Sequence, residues 1–343
     1  MKRFLNTLFV TTQGAYLKKE GETIAVQVER EIRLRIPIIT LSGIVCFGNV
    51  GISPFLMGYC AENGVSISLL SRHGRFLARI QGPVAGNVLL RKEQYRISDD
   101  NKRTIEIVRS ILAGKLTNSK TVLQRTLRDH AGRINADAVA REAEALDMAV
   151  KQVQSESDLE VLRGIEGETA RRYFGVFNEL ITNQKADFSF KDRNRRPPLD
   201  RVNALLSFTY TLLYHDMRAA LESVGLDPAV GFLHRDRPGR LGLALDLMEE
   251  FRPFFADRLV LSLINMRQIE GRGFQILDSG AVFMNEETRK TLIGSYQKRK
   301  QDVINHPFLN ERMHIGILFH SQAILLARYI RGDIDGYPPF LWR

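Results

Sequence analysis

Two different spacings of hydrophobic residues divide the chain. From Leu5 to about Gly82 apolar and polar residues alternate, as in residues 32–36, and this period of two is typical of half-buried strands. Beyond that point apolar residues recur every three or four positions, which is the spacing of helices. The pattern predicts an α+β chain. A small β-rich domain (residues 1–85), sandwich-like with one helix, precedes a larger all-α domain (residues 86–343).

Capping residues predict where several helices begin and end. Ser53-Pro54 should start the one helix of the β-rich part, and Gly64 should end it. In the α part an apolar pattern stops at Gly114, which predicts a helix end there. Residues 157–160, Ser-Asp-Leu-Glu, indicate a capping box that opens a long helix, and Asp200 is a candidate cap for another.

Composition and charge narrow the class of protein. Of 343 residues, 44% are hydrophobic and 26% charged, which is ordinary for a folded globular chain. The net charge of +10 favours a polyanionic partner, nucleic acid before an anionic membrane. Cys46 and Cys60 are too few for a disulfide framework or a zinc ribbon and favour a reducing cytoplasm. No apolar run approaches the ~18 residues of a membrane span, so we expect no membrane partner.

The first candidate for chemistry is a carboxylate inside an apolar stripe. Glu166 shares its predicted helical face with Leu162 and Tyr173. A buried charge without a partner is costly, so Glu166 should be ion-paired, protonated or bound to a cation. Gly164 and Gly167 flank it, and their missing side chains predict the close approach of another group. A structural salt bridge is the alternative interpretation.

The other candidates follow later in the chain. His234 heads a turn-rich basic loop, and Asp246 and Glu249 lie three residues apart on one predicted helical face. Each could instead be an ordinary core or surface residue, and Glu250 is expected on an exposed acidic face. With Glu166 these side chains offer oxygen and imidazole ligands without a thiolate. Such a set suits Mg²⁺ or Mn²⁺ better than structural zinc.

Basic side chains surround these acids along the sequence. Guanidinium groups bind phosphate through two hydrogen bonds, so acids that hold a cation amid arginines suit phosphodiester chemistry. For any single basic cluster a solvated loop is the alternative. The candidate DNA-binding residues are Arg193, Arg195, Arg196, Arg235, Arg237, Arg240, Lys298 and Arg299.

Four ordered segments resemble the CRISPR-associated integrase family, the larger core subunit of spacer acquisition. They are residues 162–167 (LRGIEG), 203–210 (NALLSFTY), 231–234 (GFLH) and 245–249 (LDLME). The β part followed by a longer α part also fits this family, so the resemblance covers essentially the whole chain. Ser207 stands where the family commonly has Asn, which affects a local hydrogen bond.

The resemblance implies a divalent metal, Mg²⁺ or Mn²⁺, held by Glu166, His234 and the acidic pair. Glu249 is favoured as a direct ligand, with Asp246 binding directly or through another group. These four residues are therefore the candidate catalytic and metal-binding residues. The resemblance further implies a homodimer formed largely through the β domain. A small ferredoxin-like subunit would bridge two dimers on double-stranded DNA.

The expected function is a metal-dependent DNA endonuclease and integrase of CRISPR adaptation. In this reaction the 3′-hydroxyl of a short protospacer duplex attacks a phosphate at the edge of a CRISPR repeat by transesterification. Two alternatives stay open. One is a catalytically silent DNA-binding scaffold subunit whose acids merely pair with arginines, and the other is a metal-dependent hydrolase of small phosphorylated molecules.

Overall fold

The computed structural model describes residues 6–72, 76–80, 82 and 88–342 of the chain. In these residues the predicted α+β class is confirmed, with strands in the N-terminal part and a larger, mainly helical part after them. Leu5, where we expected the first strand to begin, and the expected domain boundary after residue 85 lie outside the described residues.

Two four-stranded sheets form the N-terminal part. One has the order β1-β5-β7-β8, parallel except for the β7-β8 pair, and the other has the order β4-β3-β2-β6. Leu17, Ile24, Ile44 and Ile67 are buried between them. The strands are β1 (Asn6–Val10), β2 (Tyr16–Glu20), β3 (Thr23–Val28), β4 (Glu31–Pro37), β5 (Leu41–Phe47), β6 (Gly51–Ile52), β7 (Ser66–Leu70) and β8 (Phe76–Ile80).

The single predicted helix of this part is present as α1 (Pro54–Glu62). The Ser53 hydroxyl accepts a hydrogen bond from the Leu56 N–H at 3.2 Å, as expected of a cap. Gly64 follows with φ +69°, the left-handed conformation that favours glycine after a helix.

Helices dominate the second part. They are α2 (Val88–Asp99), α3 (Asn101–His130), α4 (Ala136–Ser155), α5 (Leu159–Gly175), α6 (Arg201–Ser223), α7 (Gly242–Met248), α8 (Arg258–Asn265), α9 (Glu286–Lys300) and α10 (Ile315–Arg331). A π-helical turn, Arg252–Asp257, joins α7 to α8. Two short hairpins that the helical spacing did not predict pair β9 (Phe274–Ile276) with β10 (Val282–Met284) and β11 (Val303–Asn305) with β12 (Arg312–His314).

The predicted helix end at Gly114 is wrong, because α3 continues through it to His130. A β-carbon at Gly114 would lie 3.0 Å from the Pro339 side chain and 3.1 Å from that of Glu250. The glycine is therefore required by the close approach of neighbouring segments rather than by a chain stop.

The cap of α5 is also shifted from its predicted position. Asp158, and not Ser157, accepts hydrogen bonds from the N–H groups of Glu160 (2.7 Å) and Val161 (3.2 Å). Because the side chain of Glu160 pairs with arginines, it does not close the expected capping box. The Asp200 cap of α6 is confirmed, with the N–H of Asn203 at 2.7 Å from its carboxylate.

A buried joint connects the two parts of the molecule. The ammonium group of Lys300 lies 3.0 Å from a carboxylate oxygen of Asp216 and donates to the Thr7 hydroxyl of β1 at 3.5 Å. The Tyr296 hydroxyl donates to the same Asp216 carboxylate at 2.7 Å. The rings of Phe47 and Phe208 stack across the parts with centroids 5.6 Å apart. This packing fixes the helical part against strands β1 and β5 of the N-terminal part.

The segment after α10, residues 332–342, packs back into the helical core, and we call it the tail. Asn118 of α3 donates to the Phe340 carbonyl at 2.9 Å and accepts from the Trp342 N–H at 2.7 Å. The indole of Trp342 lies against the guanidinium groups of Arg125 and Arg258, 3.9 and 4.4 Å from the ring centroid. The tail is therefore part of the packed core.

Glu250 anchors this tail, so our expectation that it lies on an exposed face is wrong. It is fully buried and accepts hydrogen bonds from the Tyr337 hydroxyl (2.7 Å), the Phe340 N–H (2.7 Å) and the Gln322 amide (3.0 Å). Burial raises the pKa of Glu250 to about 8, although these three donors act in the opposite direction.

Both cysteines are buried free thiols. Among the described helices, not one has the length and apolar character needed to cross a bilayer.

Candidate active site

Three separate segments bring the predicted acids and the histidine together. Glu166 comes from α5, His234 from the loop that precedes α7, and Glu249 from the turn that directly follows α7. The His234 Nε2 atom lies 4.0 Å from a Glu249 oxygen. Glu166 and Glu249 both contact the ammonium group of Lys115, which α3 supplies. The sequence did not single out this lysine.

Asp246 is fully buried and holds the histidine loop in place. Its carboxylate accepts hydrogen bonds from the N–H groups of Phe232 (2.6 Å), Leu233 (3.0 Å) and His234 (3.0 Å). It also lies 2.6 Å from the His234 Nδ1 atom. Since a carboxylate can only accept, Nδ1 carries the hydrogen of this contact, and the ring turns its Nε2 atom towards Glu249.

Two glycines allow this loop to approach α7. A β-carbon on Gly231 would lie 2.7 Å from the Gly242 backbone and 2.9 Å from an Asp246 oxygen. The side chains that flank Asp246, Leu243 and Leu247, are buried in the core. The sequence therefore fixes both the carboxylate and the loop around it.

Glu249 is a buried carboxylate held by charge. Its oxygens lie 2.8 Å from Lys115 and 2.8 Å from Arg252. Burial opposes ionisation of Glu249, yet the charges of Arg252 and Lys115 outweigh it and lower the pKa to about 2. Glu249 is accordingly an anion at neutral pH.

Lys115 lies between the two glutamates. Only 9% of its side chain is exposed, against 27% for Glu166 and none for Glu249. Burial acts to lower the pKa of this ammonium group, but Glu249 and Glu166 reverse the effect and raise it. Lys115 is therefore a buried cation that two carboxylates share.

Two tyrosines and Asp257 form a network that packs against Arg252. Its guanidinium lies 5.1 Å from the ring centroid of Tyr210, whose hydroxyl donates to Asp257 at 2.6 Å. The Tyr173 hydroxyl contacts the same carboxylate at 3.2 Å. Burial raises the pKa of Asp257 to about 6 against the opposing effect of these hydroxyl groups.

Arg193, a candidate DNA-binding residue, contacts three side chains of α6. Its guanidinium donates to Asn203 at 2.6 Å and to the Ser207 hydroxyl at 3.1 Å, and it lies 5.3 Å from the Tyr210 ring centroid. Arg193 therefore also supports the network around Tyr210. Ser207 makes the local hydrogen bond at the position where the resembling family commonly has Asn.

Arg299, also a candidate DNA-binding residue, is half-buried. It donates to the Phe254 carbonyl at 3.0 Å and lies over the rings of Phe254 and Phe255. Burial lowers its pKa to about 10. Among the other candidates, Arg195, Arg196, Arg235, Arg237 and Lys298 are exposed and Arg240 is half-buried.

The expected close approach to the helix glycines is also wrong within the molecule. Nothing in the described chain lies within 4 Å of a β-carbon added to Gly164 or Gly167, and both residues are exposed. They leave the surface of α5 beside Glu166 without side-chain bulk.

The chemistry of the donors fits a divalent cation. Two carboxylates and an imidazole ring oriented by a buried aspartate are ligands that Mg²⁺ or Mn²⁺ accepts. In the part of the chain that the structure describes, however, no three His, Cys, Asp or Glu side chains are already gathered as a ligand set. Lys115 separates the acids.

Comparison with known proteins settles the family. The family model described as CRISPR associated protein Cas1 matches residues 8–298. The chain belongs to the Cas1 family. A relative from Chlorobaculum tepidum, named CRISPR-associated endonuclease Cas1 1, is 55% identical over 343 residues, which are 100% of both sequences. The Cas1 resemblance and the expectation of an endonuclease are thereby confirmed.

Solved structures share this Cas1 fold. A casposase bound to integration product has a TM-score of 0.84 and 21% identity, covering 98% of this chain and 94% of its own. A chain of a Cas6-RT-Cas1–Cas2 complex has a TM-score of 0.82 and 22% identity, covering 100% of this chain and 36% of its own. At such identities the likeness establishes the fold alone.

Proposed function

We propose that this Cas1 chain is the metal-dependent endonuclease and integrase of CRISPR adaptation, inserting short spacers into the array by transesterification. The observation that carries the proposal is that Glu166 and Glu249 contact one ammonium group, while the His234 Nε2 atom lies 4.0 Å from Glu249 and its ring is oriented by Asp246. The relative that is 55% identical is named as an endonuclease, and the casposase neighbour holds an integration product.

Glu166, Glu249 and the Nε2 atom of His234 are the proposed ligands of Mg²⁺ or Mn²⁺. When bound, such an ion supplies positive charge that stabilises the phosphate and the departing oxygen during transesterification. Asp246 does not act as a ligand in this proposal, because its oxygens accept three N–H groups and the imidazole Nδ1–H. Its function is to orient His234.

Other residues of the chain hold Glu249 in place or would bind the phosphates of the substrate. Arg252 holds one oxygen of Glu249, so this carboxylate stays ionised and fixed towards the site. The exposed side chains of Arg195, Arg196 and Arg237 are free to approach the solvent side, where phosphates of double-stranded DNA would bind. With a DNA 3′-hydroxyl as nucleophile the site transfers a strand, and with water it cleaves.

The proposed partners are double-stranded DNA, a second copy of the chain and a small ferredoxin-like subunit. Support for the small subunit is the fold shared with a chain of a complex that contains Cas2. Support for a homodimer through the β-rich part comes from its exposed apolar side chains, above all Phe55 (84% exposed) and Ile39 (79% exposed).

The function is tested with Glu166→Ala and His234→Ala, assayed for strand transfer with Mn²⁺ and a protospacer duplex. Both variants should lose activity while they keep their fold and most of their DNA affinity. Glu168→Ala is the matched control, because Glu168 lies on the same helix but pairs with Arg171 on its exposed face. Undiminished integration by either site variant would contradict the assignment.

The pairing of Glu166 and Glu249 with Lys115 favours a second candidate, a DNA-binding scaffold without catalysis. In a scaffold these ion pairs are purely structural, and Mn²⁺ adds nothing to the stability of the DNA complex. A melting temperature that rises when Mn²⁺ is added to the protein with DNA supports the enzyme, because a ligand of the folded state stabilises it.

A further inference from the structure

The two glutamates of the site already have a cation. The ammonium group of Lys115 contacts a Glu166 oxygen and lies 2.8 Å from Glu249, while its side chain is 91% buried by the surrounding helices. A buried lysine loses its hydration and the freedom of a long side chain, so it persists only where carboxylates compensate. Lys115 thus occupies the space between the acids where a shared metal ion would have to lie.

The charges at this position are balanced. Glu166 and Glu249 contribute two negative charges, and Lys115 and Arg252 contribute two positive charges within contact distance. The charge of Asp246 is not counted in this balance, because its oxygens accept hydrogen bonds from backbone N–H groups and from His234. A divalent cation added here would meet two fixed positive charges in a poorly hydrated environment, which is strongly unfavourable.

We propose that Lys115 is the resident counter-ion of Glu166 and Glu249 and controls metal binding by competing for them. This inference rests on the metal-dependent function proposed above. A divalent ion can enter only when the ammonium group leaves the two carboxylates, and the displaced ammonium then needs another anion. A DNA phosphate provides that anion, so metal and DNA should bind cooperatively.

The role assigned to Lys115 is that of a positioning residue. It holds the two acids close together while metal and DNA are absent, which prevents the site from binding an ion without substrate. Arg252 does not serve the same purpose, because it contacts Glu249 from the side of Tyr210 and is held there by the aromatic ring.

Direct Mn²⁺ binding tests the proposal without any reaction. Free Mn²⁺ is measured by electron paramagnetic resonance with the full chain, alone and with a branched DNA duplex whose 3′ ends are dideoxy-terminated. Lys115→Gln removes the charge but keeps a hydrogen-bond donor. Without DNA it should bind Mn²⁺ about tenfold or more tightly than the wild type, because one competing charge is gone. Its further gain on adding DNA should be smaller.

Two variants control the measurement. Lys120→Gln lies on the same helix but removes a lysine that pairs with Asp147 of α4, and it should match the wild type. Lys115→Arg keeps the competing charge and should also bind Mn²⁺ weakly without DNA. A purely structural lysine predicts the opposite result for Lys115→Gln, since a disturbed site binds metal less well.

The outcomes separate the two proposals. If Lys115→Gln binds Mn²⁺ no more tightly than the wild type, the competition is refuted although the metal-dependent function stands. If Lys115→Gln does not fold, the wild type decides: equal Mn²⁺ affinity with and without DNA overturns the inference, and tighter binding with DNA supports it. If no form binds Mn²⁺ under either condition, the proposed function fails and the inference fails with it.

Discussion

Asp246 has a role that its sequence position alone does not reveal. Its two oxygens accept hydrogen bonds from three backbone N–H groups and from the Nδ1 atom of His234. A group of this kind fixes a ring tautomer and a loop at the same time. Its contribution to chemistry is therefore made through His234.

Asp246→Asn tests this role, because the amide keeps the shape but replaces one acceptor by a donor. We expect Mn²⁺ affinity in the presence of DNA, and strand transfer, to fall by about 10–100-fold. Titration with Mn²⁺ and an integration assay measure the two effects. Asp236→Asn, at an exposed position in the same loop, should change neither of them. Wild-type values for Asp246→Asn would show that the tautomer is irrelevant.

Glu250 makes the stability of the fold depend on pH. Its pKa is about 8 in the folded chain against an ordinary value of 4.5, so between these values the folded state holds a proton that the unfolded state has lost. The free energy of unfolding should therefore fall as the pH rises from about 4.5 to 8 and level off above that.

Glu250→Gln removes this titration and keeps the acceptor oxygen for the tail. The stability of the wild type relative to the variant should decrease steadily between pH 5 and pH 8.5, as measured by urea unfolding at several pH values. A constant difference over this range would mean that Glu250 ionises normally inside the fold.

Individual residues differ in how well their surroundings could be foreseen. Glu166 was recognised because a carboxylate interrupts an apolar stripe, and its contact with Lys115 is the ion pair that was one of the three expected environments. Lys115 interrupts an apolar stripe in the same way, between Leu112 and Leu116, and the same reasoning would have found it. It was missed because Gly114 was interpreted as a helix end.

At the scale of elements, local signals gave types well and boundaries less well. Helices α1 and α6 follow their apolar spacing and caps, since those signals depend on neighbouring residues. The π-helical turn Arg252–Asp257 and the two short hairpins have no comparable pattern. They depend on tertiary packing, such as the contact of Phe254 with the tail residue Phe340.

The cap of α5 gives a direct comparison of the predicted and the observed residue. Asp158→Ala should lower the free energy of unfolding by about 1 kcal/mol, because two N–H groups of the first turn lose their acceptor. Ser157→Ala should change it by less than about 0.5 kcal/mol. Chemical denaturation of both variants measures the difference, and the reverse order would restore Ser157 as the cap.

At the scale of the whole molecule, the two most exposed large apolar side chains of the described residues, Phe55 and Ile39, both lie in the β-rich part. Phe55, at the start of α1, is 84% exposed, so its replacement costs the folded monomer little. If the proposed homodimer forms there, Phe55→Asp places a charge in its interface and dissociates it.

Sedimentation velocity of the purified chain tests this interface. The wild type should sediment as a dimer and Phe55→Asp as a monomer with an unchanged melting temperature. Met148→Asp alters a 63% exposed apolar residue on α4, outside the β-rich part, and should leave the dimer intact. A dimer that survives Phe55→Asp would place the contact elsewhere.

One turn of α3 carries both Lys115 and Asn118, so the same helix contacts the two glutamates through Lys115 and the tail through Asn118. Packed helices shift as units, and an ångström of movement at one contact is transmitted to the next. The Phe340 N–H donates to Glu250 and the Trp342 N–H donates to Asn118. Deuterium uptake at these two amides should therefore rise when Lys115 leaves Glu166 and Glu249. Hydrogen exchange in the tail then reports whether Lys115 still contacts Glu166 and Glu249.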